Sequence, residues 1–172
     1  MATTRFQHEF DCTEGTLCQV LFFDAEFNRR LYLETLRFPT WRILDQKITD
    51  DAMERRVDVQ PLVENVPAAL KKVMGDKFGY VEEGKLDRKT NRYRFRVIPS
   101  SMADKTTISG EIYSEPIGDK RARRIVDFNV EVKIMLVGKT IEQKTIDDTK
   151  ASYEKMASFL RSYLKEKGLA TS

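Results

Sequence analysis

The sequence predicts an α+β domain in which a curved antiparallel sheet of about seven strands wraps one long C-terminal helix, with two short helices after the first strand. Three observations carry this prediction. The stretch from Phe38 to Asn129 reads almost entirely as strand, punctuated by turn signals. The stretch from Gly138 to Gly168 repeats at helical spacing. Strands joined by short turns pair as a meander with one apolar face to cover, and the terminal helix is the only element long enough to cover it.

Thr4 to Cys12 alternates, with Phe6, His8, Phe10 and Cys12 on one face and Arg5, Gln7, Glu9 and Asp11 on the other. That is a half-buried strand turning the only histidine inward. Glu14 and Gly15 break it, Leu17 to Phe23 suits a short buried helix, and Asp24 can cap a second one carrying Phe27, Leu31 and Leu36. Trp41 to Asp50 and Met53 to Val59 predict two strands, the second with Met53, Arg55, Val57 and Val59 on one face. Pro67-Ala68-Ala69-Leu70 can open a helical turn that Gly75 stops. Strands resume at Lys77 to Asp87, at Arg92 to Val97 and at Lys105 to Ser114. Pro116 to Asp119 then turns the chain into the longest strand, whose inner face runs from Arg124 to Ile134.

In the terminal helix, Thr140 and Gln143 have capping-box spacing, Glu142 suits the positive end, and Gly168 supplies the stop. Its stripe changes character along its length. Met156, Phe159, Leu160 and Tyr163 are a core seam, whereas Thr145, Asp148, Thr149 and Ser152 fill a core badly. A helix packed at one end and under-filled at the other suits a protein that holds a cavity.

With 172 residues, the chain forms one domain; 41% hydrophobic and 33% charged residues describe a soluble globular protein. The net charge of +3 is mild, and Tyr113 is the only clear aromatic on the outer face beside Arg92, Arg94 and Arg96, so no nucleic-acid partner is expected. Cross-strand pairing with Glu82, Glu83, Asp87 and Glu111 suits those arginines better. Cys12 and Cys18 lack metal or redox spacing, and a lone histidine cannot build a metal site, so no metal and no cofactor is expected. Gly138-Lys139-Thr140 lacks the earlier glycine of a phosphate loop. No leader opens the chain, and no apolar run reaches the ~20 residues of a membrane span, so a cytoplasmic location is expected.

The element order resembles the helix-grip fold of the START-like superfamily, which includes lipid-transfer domains, plant pathogenesis-related proteins and polyketide cyclases. More closely, the chain resembles the bacterial DUF2505 family. The resemblance lies in Phe6-Gln7-His8-Glu9-Phe10, Asp24-Ala25-Glu26-Phe27, Val66-Pro67-Ala68-Ala69-Leu70-Lys71-Lys72 and Val137-Gly138-Lys139-Thr140-Ile141-Glu142. It implies a cavity between sheet and helix that takes an apolar or amphipathic molecule, and it carries over no catalytic residue.

Strand parity turns His8 and Arg55 inward, and Glu82 shares a side with Phe78 and Tyr80; Asp148, Thr149 and Ser152 occupy the inner face of the helix. Buried charges need partners or water. These groups therefore form either a polar end to a ligand pocket or an internal ion pair of Arg55 with Asp148 or Glu82, with His8 bonded nearby. Tyr93, Phe95 and Phe128, with Phe6, Phe10 and Trp41, supply an apolar lining. The candidate ligand-binding residues are His8, Arg55, Tyr93, Phe95, Phe128, Asp148, Thr149 and Ser152; no catalytic residue is assigned. The expected function is non-catalytic binding or carriage of a lipid-like or other apolar molecule, loaded by transient contact with a membrane surface. The alternatives are a small cyclase- or hydratase-type enzyme using His8 beside a carboxylate in the same cavity, or a filled-core interaction module.

Overall fold

The computed structural model describes residues 1–171. Strand β1 (Ala2–Phe10) leads into helices α1 (Glu14–Phe23) and α2 (Ala25–Arg29), the latter continued by a π-helical turn (Arg30–Thr35). Strands β2 (Thr40–Ile48) and β3 (Ala52–Gln60) precede helix α3 (Ala68–Met74). Four strands follow, β4 (Tyr80–Asp87), β5 (Arg92–Pro99), β6 (Thr106–Ile117) and β7 (Arg121–Val132), and then helix α4 (Gly138–Glu166). All neighbours pair antiparallel in the order β1-β7-β6-β5-β4-β3-β2, which makes β1 and β2 the two edges.

The predicted architecture is the observed one, and local chemistry explains it. Asp24 Oδ1 accepts from the Phe27 amide at 3.0 Å, capping α2. Gly168, with φ of 68°, stops α4 in the left-handed region. Cross-strand pairs cover the outer face, with Arg92 and Arg94 on Glu111 and Arg96 on Glu83. Boundaries differ by a few residues; in particular, Pro116 and Ile117 belong to β6 rather than to the turn.

The start of α4 corrects the capping-box expectation. The helix begins at Gly138, no side chain caps it, and the Gln143 amide donates to Asp147 Oδ1 at 2.9 Å. The cause is steric: a Cβ on Gly138 would overlap the backbone carbonyl of Val132, so only glycine lets the helix start against the end of β7. Glu142 then accepts from the Val132 amide at 2.8 Å and ties the first turn to that strand.

The inner face of the sheet is organised in rows set by register. One row runs Arg55, Gly84, Phe95, Gly110, Phe128 across β3 to β7. The row on one side is Val57, Glu82, Val97, Ile108, Val130; on the other it is Met53, Leu86, Tyr93, Ile112, Val126, Phe6. The core beneath α4 divides in two. Phe10, Leu17, Phe27 and Leu31 pack with Met156, Leu160, Tyr163 and Leu164 around the C-terminal half of the helix. The other cluster lines the sheet around Phe6, Tyr93, Phe95 and Phe128 and meets the N-terminal half of α4 through Ile141. That second cluster leaves space under the helix.

Candidate functional site

A cavity of about 450 Å³ lies between the sheet and α4. Phe95, Ile108 and Phe128 form its sheet side, Tyr153 and Met156 its helix side, and loops 61–65 and 101–102 border it. Thr145, Asp148, Thr149 and Ser152 line it from the N-terminal half of α4, so the under-filled part of the helical stripe faces the space it fails to fill.

Five of the eight candidate residues line this cavity: Phe95, Phe128, Asp148, Thr149 and Ser152. Asp148 stands at the rim, its side chain 54% exposed and paired at 3.0 Å with Lys144, which also donates to the Glu64 carbonyl. His8, Arg55 and Tyr93 do not line the cavity. The Arg55–Asp148 ion pair is therefore not formed, and Arg55 reaches Glu82 only through Tyr93. Arg55 Nε donates to the Tyr93 hydroxyl at 3.2 Å, and that hydroxyl donates to Glu82 Oε1 at 2.7 Å.

The relay depends on a glycine. Tyr93 lies opposite Leu86, and Glu82 lies four residues further along β4. To reach it, the tyrosine ring crosses directly over Gly84, where any Cβ would overlap the ring and its hydroxyl. Arg55 is 5% exposed and sits among the Phe22, Trp41 and Tyr93 rings, while its Nη1 has no hydrogen-bond partner among the described residues. Burial pulls its pKa down, but Tyr93, Glu82 and Tyr32 outweigh that and hold it above the ordinary arginine value. Burial raises the Tyr93 and Tyr80 hydroxyls well above the usual range, reinforced by the Glu82 charge. Tyr32 is pushed up to about 12 by burial first and Glu82 second. All of these hydroxyls keep their protons at neutral pH.

A second buried cluster lies toward the closed end. Arg124, 1% exposed, donates from Nη2 to His8 Nδ1 at 3.2 Å and from Nη1 to the Met156 sulfur at 2.9 Å. Its guanidinium carbon lies 5.0 Å from the Tyr153 ring centre and 5.3 Å from that of Phe10. Because Arg124 only donates, His8 Nδ1 is the acceptor, and Nε2–H donates to Glu154 Oε1 at 3.0 Å. Burial lowers the His8 pKa, Glu154 opposes that, and Arg124 adds to it. The sign follows directly. The unfolded chain takes up a proton near pH 6.5 that the folded ring resists, so the contribution is whole above pH 6.5 and declines below it. The thermal midpoint should fall between pH 7.5 and 5.5, and His8→Gln should flatten that slope in the same calorimetric scans.

Sequence reading left Glu82, Tyr32, Tyr80 and Tyr153 off the candidate site, although all four line the cavity. The alternation Phe78, Tyr80, Glu82 placed two of them, and the spacing Thr149, Tyr153, Met156 would have found a third. Tyr32 carries no such signal, because a π-helical turn presents it. Among the described residues, no three His, Cys, Asp or Glu side chains are placed to hold a metal, and no helix is long and apolar enough to cross a membrane.

A seven-stranded antiparallel sheet gripping one long helix over an internal cavity is a helix-grip fold. Residues 6–164 match the family described as Protein of unknown function (DUF2505), and the chain belongs to that family. Its fold is shared by norcoclaurine synthase from Thalictrum flavum, solved in complex with dopamine and hydroxybenzaldehyde, at 16% identity and TM-score 0.62, covering 92% of this chain and 86% of that one. The Zhui aromatase/cyclase from Streptomyces sp. R1128 aligns at 10% identity and TM-score 0.60, over 91% and 92% of the two chains. A START superfamily protein from Mycobacterium smegmatis aligns at 15% identity and TM-score 0.58, over 94% and 97%. No curated protein matches the chain.

Proposed function

We propose that this protein binds and carries an apolar or amphipathic small molecule in the cavity between its sheet and α4. The observation that carries the reading is the cavity itself. Its volume of about 450 Å³ lies within the range of small-molecule sites, and its lining combines aromatic and aliphatic walls with a few polar groups. That the fold neighbours include a protein solved with dopamine and hydroxybenzaldehyde supports an occupant of this size.

Loading from a membrane surface fits the same end of the molecule. Val132 and Ile141 both line the cavity, and the chain between them carries Met135 and Leu136, 88% and 98% exposed, beside Lys133 and Lys139. An acid–base enzyme resting on His8 is less favoured. His8 does bond a carboxylate, but it does not line the cavity, and its neighbour Arg124 packs against Tyr153 and Met156, which do.

Native mass spectrometry of freshly purified protein, with solvent extraction of anything released, tests the reading. A stoichiometric apolar adduct is the expected result. Ile108→Trp, which places an indole in the cavity, should abolish the adduct while the protein stays folded. An apo mass, with no stabilisation by fatty acids, phospholipids or polycyclic compounds, would overturn it.

A further inference from the structure

The polar wall of the cavity is specific enough to select a head group. Glu82 Oε1 is occupied by the Tyr93 hydroxyl, whereas Oε2 accepts no hydrogen bond among the described residues. Tyr32, Tyr80 and Tyr153 line the same cavity, and their hydroxyls make no hydrogen bond among the described residues. Burial raises the pKa of all three and leaves them protonated, and the Glu82 charge adds to it, which places them in its field. A vacant carboxylate oxygen thus faces an occupant in company with hydroxyls that can both donate and accept.

Charge balance narrows the choice. Glu82 is already matched by the Arg55 guanidinium, two hydrogen bonds away through Tyr93. An ammonium head would add an uncompensated positive charge to a region that also buries Arg124, and a carboxylate head would oppose Glu82 at contact. A hydroxyl leaves the balance untouched. It donates to Glu82 Oε2 and accepts from a tyrosine, satisfying groups that are otherwise unpaired. Two lysines border the cavity and neither offers an anion much: Lys144 is held by Asp148 and the Glu64 carbonyl, and Lys155 is exposed, so its charge is screened by solvent.

Resting on the cavity reading above, we propose that the occupant is an apolar molecule bearing a neutral hydroxyl, an alcohol or a phenol, which donates to Glu82 while its body lies against Phe95, Ile108 and Phe128.

The test is titration calorimetry at pH 7.5 with four probes that share one eight-carbon body: octan-1-ol, 1-methoxyoctane, octylamine and octanoate. Octan-1-ol should bind about tenfold or more tighter than each of the others, the value of one well-made hydrogen bond to a charged group. In Glu82→Gln, Arg55 loses its counter-charge, so octanoate should gain on octan-1-ol by about tenfold. Octanoate or octylamine binding as tightly as octan-1-ol overturns the proposal, as does an unchanged order in Glu82→Gln. If all four bind equally, the cavity reading stands and the head-group assignment falls; if none binds, both fall. Should Glu82→Gln not fold, the wild-type order alone decides.

Discussion

Gly84→Ala should lower stability by about 3 kcal/mol and the thermal midpoint by roughly 6–12 °C. A methyl group there overlaps the Tyr93 ring and hydroxyl, and Tyr93 is 1% exposed with no free space to retreat into. Its displacement would break the hydrogen bonds to Arg55 and Glu82, stranding a buried guanidinium whose Nη1 already has no partner among the described residues. Gly15→Ala is the control. That glycine lies in α1 with nothing near its Cβ position, so alanine should raise stability by about 0.5–1 kcal/mol through helix propensity. Adding Tyr93→Phe to Gly84→Ala should cost less than the sum of the two single changes, since one hydroxyl is part of both losses. Equal midpoints for Gly84→Ala and wild type in differential scanning calorimetry would refute the account of the Tyr93 relay.

The second large effect is at Arg124, and it depends on the replacement. Burial pulls its pKa down to about 10. Relative to an ordinary arginine, that shift corresponds to roughly 3 kcal/mol against the charged form. Among the described residues no carboxylate bonds the guanidinium; its partners are a neutral histidine, a thioether and two aromatic rings. Arg124→Met removes the buried charge while keeping most of the volume, so the relief offsets the hydrogen bond lost at His8 Nδ1. Stability should stay within about 1 kcal/mol of wild type. Arg124→Ala keeps no such packing and opens a void beside Phe10, Met156 and Tyr153, for a loss of about 3 kcal/mol. Urea denaturation of the two variants separates these cases. Equal losses would mean that the guanidinium stabilises the fold through its charge.

Two periodicities made the fold readable. Alternation in β1 and β3 turned His8 and Arg55 inward, and both are buried. The change of stripe along α4 indicated where space would be left, and Thr145 to Ser152 do face the cavity. Parity assigns a face but not a partner. Arg124 was readable as inner by alternation, and only the pairing of β7 with β1 shows that it meets His8. The Tyr93–Glu82 bond was hidden for a related reason: it runs along the sheet across a glycine rather than between register partners. Asp148 was placed on the correct side of the helix, yet the cavity opens there, so a rim lysine takes it instead of Arg55. The capping box failed because the contact between Gly138 and Val132, which sets the true start of α4, is tertiary.

The strand order has a consequence for how the chain is made. β1 is synthesised before the other strands of the sheet, yet among the described residues its one sheet neighbour is β7, more than a hundred residues later. As the chain emerges, β2 to β6 can pair successively, with short loops everywhere except between β3 and β4, where residues 61–79 include α3. β1 must wait with both of its edges open until β7 has been made. α4 arrives after β7 and brings the residues that close the core around Phe10 and Phe27. Folding should therefore be slow for a chain of this size, with its rate set by the late docking of the two termini. The nascent protein is most vulnerable to aggregation just before its final helix appears.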